Sequence, residues 1–473
     1  NRFLDKVRLA MLLLGLLQIG IGLGAFVSIL MVSTFYPGVA VLMMSLTILP
    51  AAIFMGMSFP VASKLFQSSK AIGASVGKLY FVNILGSVLG PIATAFFLLP
   101  ILGTGRSILF LVLINCLIGL ALIYFEELPG AKNIRTKAAV ALMVFFIAFG
   151  IFDMIKPDYF YSKNLKHRFR QLKLDGYRFS FVEDNTASVL AYRSSDDRDY
   201  GLMIDGVPTT ILVDDTKLMA HLPLLLHKNP QKVLVVAFGM GTTFRSALSH
   251  GVVTHVVDLV PSVPKMVNYF HKDSSVFLGN PNGTIFIDDG RNFVRTTKEK
   301  YDVITVDPPP PVNSAGTTVL YSKEFYEQGG RLLNDGGMFS EWLSYGTRVD
   351  DFKMLVKSFV SSFPYSYAFK SPDNLGMHLI GSYQPVNFDW DRITLKLGNP
   401  TISADLNEWS QWDSKKLFSL YLGDKRFLAD FVKDSKEISD NYPRTEYFWL
   451  RNLSTESPLM DETQLGKVRS VKE

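Results

Sequence analysis

Long uncharged apolar runs fill the first third of this chain and stop near residue 155. Five of them, roughly 9–32, 39–63, 79–100, 107–125 and 138–155, have the length and composition of membrane-crossing helices, for which about 20 apolar residues suffice. The first run is too long to be the core of a cleaved leader, and others follow it. Hydrophobic residues make up 48% of the 473-residue chain, and the excess is concentrated in these runs. The second run holds Pro50 and Pro60, and the third holds Asn83, Gly86, Ser87, Gly90 and Pro91. Small residues at that spacing predict close helix packing in lipid. Apart from Lys78 at an edge, no ionisable Asp, Glu, Lys or Arg lies inside a run, which argues against ion-coupled transport.

The basic residues do not give one orientation. Arg2, Lys6 and Arg8, then Lys64, Lys70 and Lys78, then Lys132, Arg135 and Lys137 mark alternate loops as cytoplasmic. Five full spans then place the remainder outside. Yet Lys156, Lys163, Lys166, Arg168, Arg170 and Lys173 mark the following side as cytoplasmic as well. Other features exclude whole classes of function. The net charge of +5 is modest and clusters beside the apolar runs, so nucleic acid is not indicated as a partner. The single cysteine, Cys116, excludes a disulfide framework, and the seven histidines show no metal-ligand spacing, so no metal is expected.

From about residue 175 the pattern changes. Tyr177 to Val182, Ala187 to Tyr192 and Tyr200 to Ile204 read as short strands, with a turn at Asp205-Gly206, forming a small antiparallel cap. A helix is expected over 216–227. Strands then alternate with helices: Val233 to Val236, a helix near 243–250, His255 to Asp258, Thr284 to Ile287, Asp302 to Val306 and Gly337 to Ser340. That alternation predicts a doubly wound α/β sheet of the class I methyltransferase-like (Rossmann-like) kind. The fold class is therefore a multi-span α-helical membrane domain joined to a Rossmann-like domain with a small N-terminal β cap. The expected boundaries are 1–155 for the spans, 156–174 for a basic linker and 175–215 for the β subdomain. The nucleoside-binding catalytic domain follows over 216–400, a helical closing segment over 401–455 and a mobile polar tail over 456–473.

In such sheets the ligand sits beyond the carboxyl ends of the strands, at the switch point. Four strand ends here carry suitable groups. Gly239, Met240 and Gly241 follow the first parallel strand, where glycines admit close backbone approach. Asp258 ends the second and suits the two hydroxyls of a ribose. Asp289-Gly290 follows the third, where a carboxylate suits the adenine amino group. Asp307 follows the fourth, at the head of Asp307-Pro-Pro-Pro-Pro311. Each acid taken alone is an ordinary loop residue; their succession points to nucleoside binding.

The sequence resembles the polyamine aminopropyltransferase (spermidine synthase) family, in its bacterial branch fused to a membrane region. The resemblance rests on Ile204-Asp-Gly-Val207, Ala220-His-Leu-Pro223, the Gly239 loop with Arg245, Asp289-Gly-Arg291, Asp307 and Leu320-Tyr-Ser-Lys-Glu-Phe-Tyr326. It is looser at Lys78-Leu-Tyr-Phe-Val-Asn83, Gly86 to Gly90 and Ser439 to Tyr447. It implies that Asp258 holds the ribose, Asp289 meets adenine, the Gly239–Gly241 loop lies along the sulfonium, and Asp307 takes a proton from an attacking amine. It further implies S-adenosylmethionine or decarboxylated S-adenosylmethionine as co-substrate, a small amine acceptor, methylthioadenosine as product, a lipid bilayer as surroundings, and a homodimer as a compatible assembly. Asp205, Thr209, Asp215, Tyr321, Trp342 and Glu446 are the candidate acceptor contacts, with Asp440 a second late acid. Because the cofactor is made in the cytoplasm, the catalytic domain of this inner-membrane protein is expected there.

The departures from the family bear on specificity. Met240 stands where the family carries an aspartate for the amino group of the decarboxylated donor, so intact S-adenosylmethionine becomes admissible. Pro310 replaces a second acidic residue, Asp215 and Lys217 replace a tyrosine and a glutamate, and Thr209 replaces a glutamine. A polycation needs several carboxylates, so ordinary polyamine synthesis is not expected. A methyltransferase or lyase on the same sheet, or a non-catalytic nucleoside-binding membrane protein, are the alternatives. The Asp-Pro-Pro run resembles an amino-methyltransferase motif whose aromatic position is here Pro310.

Overall fold

The computed structural model describes residues 10–32, 40–66, 72–125, 177–307, 316–447 and 457–469. These divide into two compact units, Asn1–Tyr177 and Arg178–Glu473. The fifth apolar run, the basic linker and Pro308 to Pro311 lie outside the described residues.

The first unit contains helices α1 (Ala10–Val32), α2 (Ala40–Phe66), α3 (Ile72–Ala93) and α4 (Leu99–Phe125), with a π-helical turn at Thr94–Leu98 joining the last two. Among the described residues, three helical stretches, Ala10–Ser28, Ser45–Phe66 and Gly73–Phe125, are long and apolar enough to cross a membrane. The third has 53 residues. At a rise of 1.5 Å per residue it measures about 80 Å, more than twice a hydrocarbon core. It is broken at Gly103, whose φ of 73° and ψ of 172° are not helical. That break separates the two runs read as 79–100 and 107–125.

Helix α1 packs on α2 and α4. A Cβ on Gly15 would lie 2.7 Å from the Gly119 carbonyl oxygen, and one on Gly24 would lie 3.1 Å from the Ala51 nitrogen. Close approach between these helices depends on α1 glycines; among the described residues, nothing lies within 4 Å of a Cβ position on Gly86 or Gly90 of α3.

The second unit begins with a four-stranded antiparallel sheet of β1 (Arg178–Glu183), β2 (Ser188–Arg193), β3 (Tyr200–Ile204) and β4 (Val207–Ile211), in that order. Asp205 and Gly206 both take positive φ, 49° and 74°, as a two-residue primed hairpin turn requires. The turn adds β4 and sends the chain back over the strand ends. Helix α5 (Asp214–Leu226) follows.

The main sheet contains β5 (Lys232–Val236), β6 (Val253–Asp258), β7 (Gly283–Ile287), β8 (Tyr301–Val306), β9 (Leu333–Ser344), β10 (Tyr365–Lys370), β11 (Gly376–Ser382) and β12 (Tyr421–Gly423). Their order is β12-β10-β11-β9-β8-β5-β6-β7. The strands β5 to β9 pair in parallel, and β11 returns antiparallel against β9. The interleaved helices are α6 (Thr242–Leu248), α7 (Gly290–Thr296), α8 (Lys323–Arg331) and α9 (Val349–Ser362). The apolar runs make central strands buried on both faces. Val233, Val235 and Val303 pack with Phe238, Phe244 and the cap residues Val189, Ala191 and Leu202. Leu234, Val236, Ile304 and Val306 pack with Phe325, Tyr326, Phe339 and Phe359 on the opposite side. The alternation of pleat direction assigns each residue to its face. Strand order reverses between β5 and β8, so the switch point lies beyond Val236 and Val306.

Residues 457–469 are docked, contrary to the expected loose tail. The Val349 amide donates to the Pro458 carbonyl at 2.9 Å, and the Met460 amide donates to Thr347 at 2.7 Å. Met460 and Leu465 are each 3% exposed. Two apolar anchors in a polar stretch hold it, and composition averaged over the stretch hides them.

Candidate active site

The chain leaves β5 through three residues of positive φ, Ala237 (75°), Gly239 (54°) and Gly241 (83°). A Cβ on Gly241 would sit 2.8 Å from Val267 Cγ2, so this position admits glycine on both backbone and steric grounds. Asp258, at the end of β6, fastens the loop: its carboxylate accepts the Phe238 amide and the Val260 amide, both at 2.8 Å. Burial pushes its pKa up, against the pull of those bonds. Asp289 caps α7 by accepting the Asn292 amide at 2.7 Å. Behind it, a Cβ on Gly290 would come within 2.7 Å of Val236 Cγ1, so the start of α7 lies directly on β5. Asp307 follows β8, and its amide donates to the Val236 carbonyl at 3.1 Å. Its carboxylate oxygen lies 3.7 Å from the Cβ position of Gly239.

These groups border two adjoining chambers. The first, of about 380 Å³, is walled by Asp205, Gly239, Asp258, Asp289, Gly290 and Asp307, with Leu259 and Leu320 as apolar surfaces. Four carboxylates around one cavity favour a cationic ligand. The second, of about 440 Å³, is walled by Ile211, Met219, Trp342, Tyr345, Leu375 and Met460, among others. Thr209, Thr210 and Asp307 belong to both. Asp307 is therefore the ionisable group at the junction. It keeps partial exposure on the shared wall. Its surroundings are nonetheless dry enough that burial, and then the charge of Asp258, push its pKa up to about 7. A carboxyl poised there serves as a proton acceptor near neutrality.

The structure gathers Gly239, Asp258, Asp289, Gly290 and Asp307 around the first chamber, with Asp205 and Thr209 at its β-cap side. It places other residues differently. Met240 and Gly241 are not on the chamber wall. The Met240 side chain is 3% exposed and packs into the apolar layer with Phe238, Phe244 and Val267. Its expected place on the donor is corrected: an apolar side chain in a loop anchored over a core turns inward. Asp205 spends its carboxylate on the Ser188 amide, 2.8 Å away. Asp215 borders the second chamber but is 1% exposed, and its oxygens accept His378 Nε2 at 2.7 Å and the Ser371 hydroxyl. Tyr321 is buried, its phenol pushed upward by burial and by Glu341 and Asp307. It lines neither chamber. Trp342 does line the second chamber. Glu446 lies outside both chambers, and Asp440 pairs with Arg291 as a tie between the closing segment and α7.

Sequence reasoning missed three contributors. Thr210 and the β4 hairpin roof both chambers. Leu459 to Asp461 close the second chamber from the C-terminal segment, and the signal was the apolar pair within a polar stretch. Glu341, on β9 and paired in register with Val306, is fully buried beside the Tyr326 hydroxyl. Burial pushes its pKa far up. An acid two residues after Phe339 and directly before Trp342 was the available sign.

The sequence matches the spermine/spermidine synthase domain family over residues 214–343. It is 30% identical over 259 residues to the polyamine aminopropyltransferase of Saccharolobus solfataricus, covering 51% of this chain and 83% of that protein. It is 32% identical over 232 residues to the polyamine aminopropyltransferase of Methanocaldococcus jannaschii, covering 47% and 76%. Among solved structures, spermidine synthase in complex with the transition-state analogue AdoDATO overlaps 54% of this chain and 88% of its own, with a TM-score of 0.45 at 20% identity. Spermidine synthase from Thermotoga maritima gives a TM-score of 0.42, also at 20% identity.

Proposed function

This chain belongs to the polyamine aminopropyltransferase family, and from that premise we propose that its α/β unit transfers an alkyl group from an S-adenosylmethionine-type sulfonium nucleoside to an amine. The observation that carries the reading is Asp307 standing where the two chambers meet. The donor occupies the first chamber, with its ribose at Asp258 and its adenine between Asp289, Leu259 and Leu320. The acceptor amine enters through the second. Its lone pair attacks the carbon attached to sulfur, the C–S bond breaks with its electron pair going to sulfur, and methylthioadenosine leaves. The proton shed by the alkylated nitrogen passes to Asp307. Such a displacement needs alignment and a base, and both follow from placement. The carboxylates around the first chamber stabilise the cationic sulfonium before transfer.

Met240 offers no carboxylate to the donor, so the reading includes intact S-adenosylmethionine beside its decarboxylated form. A titration comparing the two separates them. Helices α1 to α4 anchor the enzyme in a bilayer as a multi-pass protein, with the α/β unit on the cytoplasmic side, where the donor is made. Protease protection in oriented vesicles checks that placement.

The decisive experiment incubates the full chain with each labelled donor, with and without amine, and identifies the nucleoside released. Amine-dependent methylthioadenosine supports the proposal, and Asp307→Asn should abolish it. S-adenosylhomocysteine would mean methyl transfer, and amine-independent release would mean a lyase.

A further inference from the structure

The family match ends at residue 343, yet one wall of the second chamber comes from the far end of the chain. Leu459, Met460 and Asp461 border it. Backbone hydrogen bonds at Pro458 and Met460 hold the segment in place, and Leu459 pairs antiparallel with Arg348. Met460 and Leu465 belong to the apolar core that also contains Phe352, Leu355 and Phe431. This wall is therefore as firmly placed as the sheet it rests on.

The charges on the chamber indicate what it receives. Among the described residues, its lining holds three carboxylates, Asp215, Asp307 and Asp461, and no Lys, Arg or His. Lys217, next in sequence to Thr216 of the wall, is fully buried elsewhere, donating to Glu408 at 2.7 Å and lying over the Trp409 ring. A chamber bordered by carboxylates and by no cation favours a positively charged guest. The three acids differ in position. Asp307 stands at the junction with the donor chamber, where the reacting nitrogen lies. Asp215 is 1% exposed and accepts from His378 and Ser371. Asp461 is exposed and borders the second chamber but not the first.

Asp461 also caps the terminal helix, Glu462–Arg469, accepting the Thr463 hydroxyl and the Gln464 amide. A carboxylate has lone pairs for about four donors, so capping is compatible with a ligand contact and fixes where the charge stands. Tyr345, on the same wall, feels that charge: burial pushes its phenol pKa up, and Glu462, Asp215 and Asp461 push it further.

Resting on the transferase reading above, we propose that Asp461 is a specificity residue for the acceptor. It binds a second ammonium at the end away from the reacting nitrogen, while Leu459 and Met460 cover the methylenes between.

Two amines of equal chain length test this on the full-length protein at saturating donor: diaminobutane, which ends in a second ammonium, and butylamine, which ends in a methyl. They are compared through kcat/KM or, where butylamine is not turned over, through its inhibition constant against diaminobutane. Asp461→Asn keeps an oxygen for the helix cap and removes the charge. It should lower the preference for diaminobutane over butylamine by about threefold to tenfold, with donor Kd unmoved as evidence of intact folding. Asp461→Glu keeps the charge and should retain most of the preference. An unchanged preference in Asp461→Asn, an equal loss for both amines, or a loss in Asp461→Glu as large as in Asp461→Asn would overturn the inference while leaving the transferase reading in place. If neither diaminobutane nor a longer diamine yields amine-dependent methylthioadenosine, the transferase reading itself fails.

Discussion

Replacing Asp258 by Asn should move the pH dependence of acceptor turnover without abolishing it. Asp307 must be ionised to take a proton, so kcat/KM for the amine should rise with pH through an inflection at about 7. Two causes lift that carboxyl from 3.8, burial the larger and the negative charge of Asp258 the smaller. Removing the charge therefore returns less than half of the lift, and the inflection should fall by about 0.5 to 1.5 pH units. The side-chain amide also replaces one carboxylate oxygen that accepts a loop amide. Donor affinity should drop as a result, and the assay must saturate the donor before the acceptor profile is recorded. Initial rates across pH 5 to 9, with methylthioadenosine as the readout, provide the comparison. An inflection that stays in place, or moves to higher pH, would refute the assignment of Asp307 as the titrating base.

Two further substitutions probe support for the site. Burial raises the pKa of Glu341 in the folded protein, so the unfolded chain releases its proton at lower pH than the folded one. Stability is thus lost as pH rises above 4.5, at up to about 1.4 kcal/mol per pH unit, until the folded carboxyl itself ionises. Glu341→Gln should flatten this decline, raising the melting temperature at pH 8 more than at pH 5; an equal effect at both would show that the acid is not neutral in the fold. Met460, 3% exposed and on the second chamber's wall, should cost about 2–3 kcal/mol when cut to Ala. In denaturant melts of Met460→Ala that loss should accompany a raised acceptor KM and an unchanged donor Kd, and a shift in donor Kd alone would mean the segment does not close the second chamber.

Much of the α/β unit was legible because its signals are local. The strand before the glycine loop, Val233 to Val236, is an unbroken apolar run, as a strand buried on both faces requires. Asp258, Asp289 and Asp307 were legible because each ends a parallel strand or lies within two residues of its end, and strand ends in this class of sheet face one crevice. The roles of Met240, Asp215 and Asp440 were not. Each occupies a position next to ligand-facing neighbours, but direction is decided by partners far along the chain: the layer containing Phe244 and Val267, the His378–Ser371 pair, and Arg291.

The order of residues alone established the apolar first third, the alternating strands and helices, and the succession of acids at strand ends, because hydrophobic periodicity and turn chemistry operate over a few residues at a time. Only the tertiary structure decided which acids remain available, that Asp307 stands between two chambers, and that the segment after residue 456 closes one of them. Those properties depend on desolvation and on hydrogen bonds between residues more than a hundred positions apart, and such contacts exist only once the chain has packed.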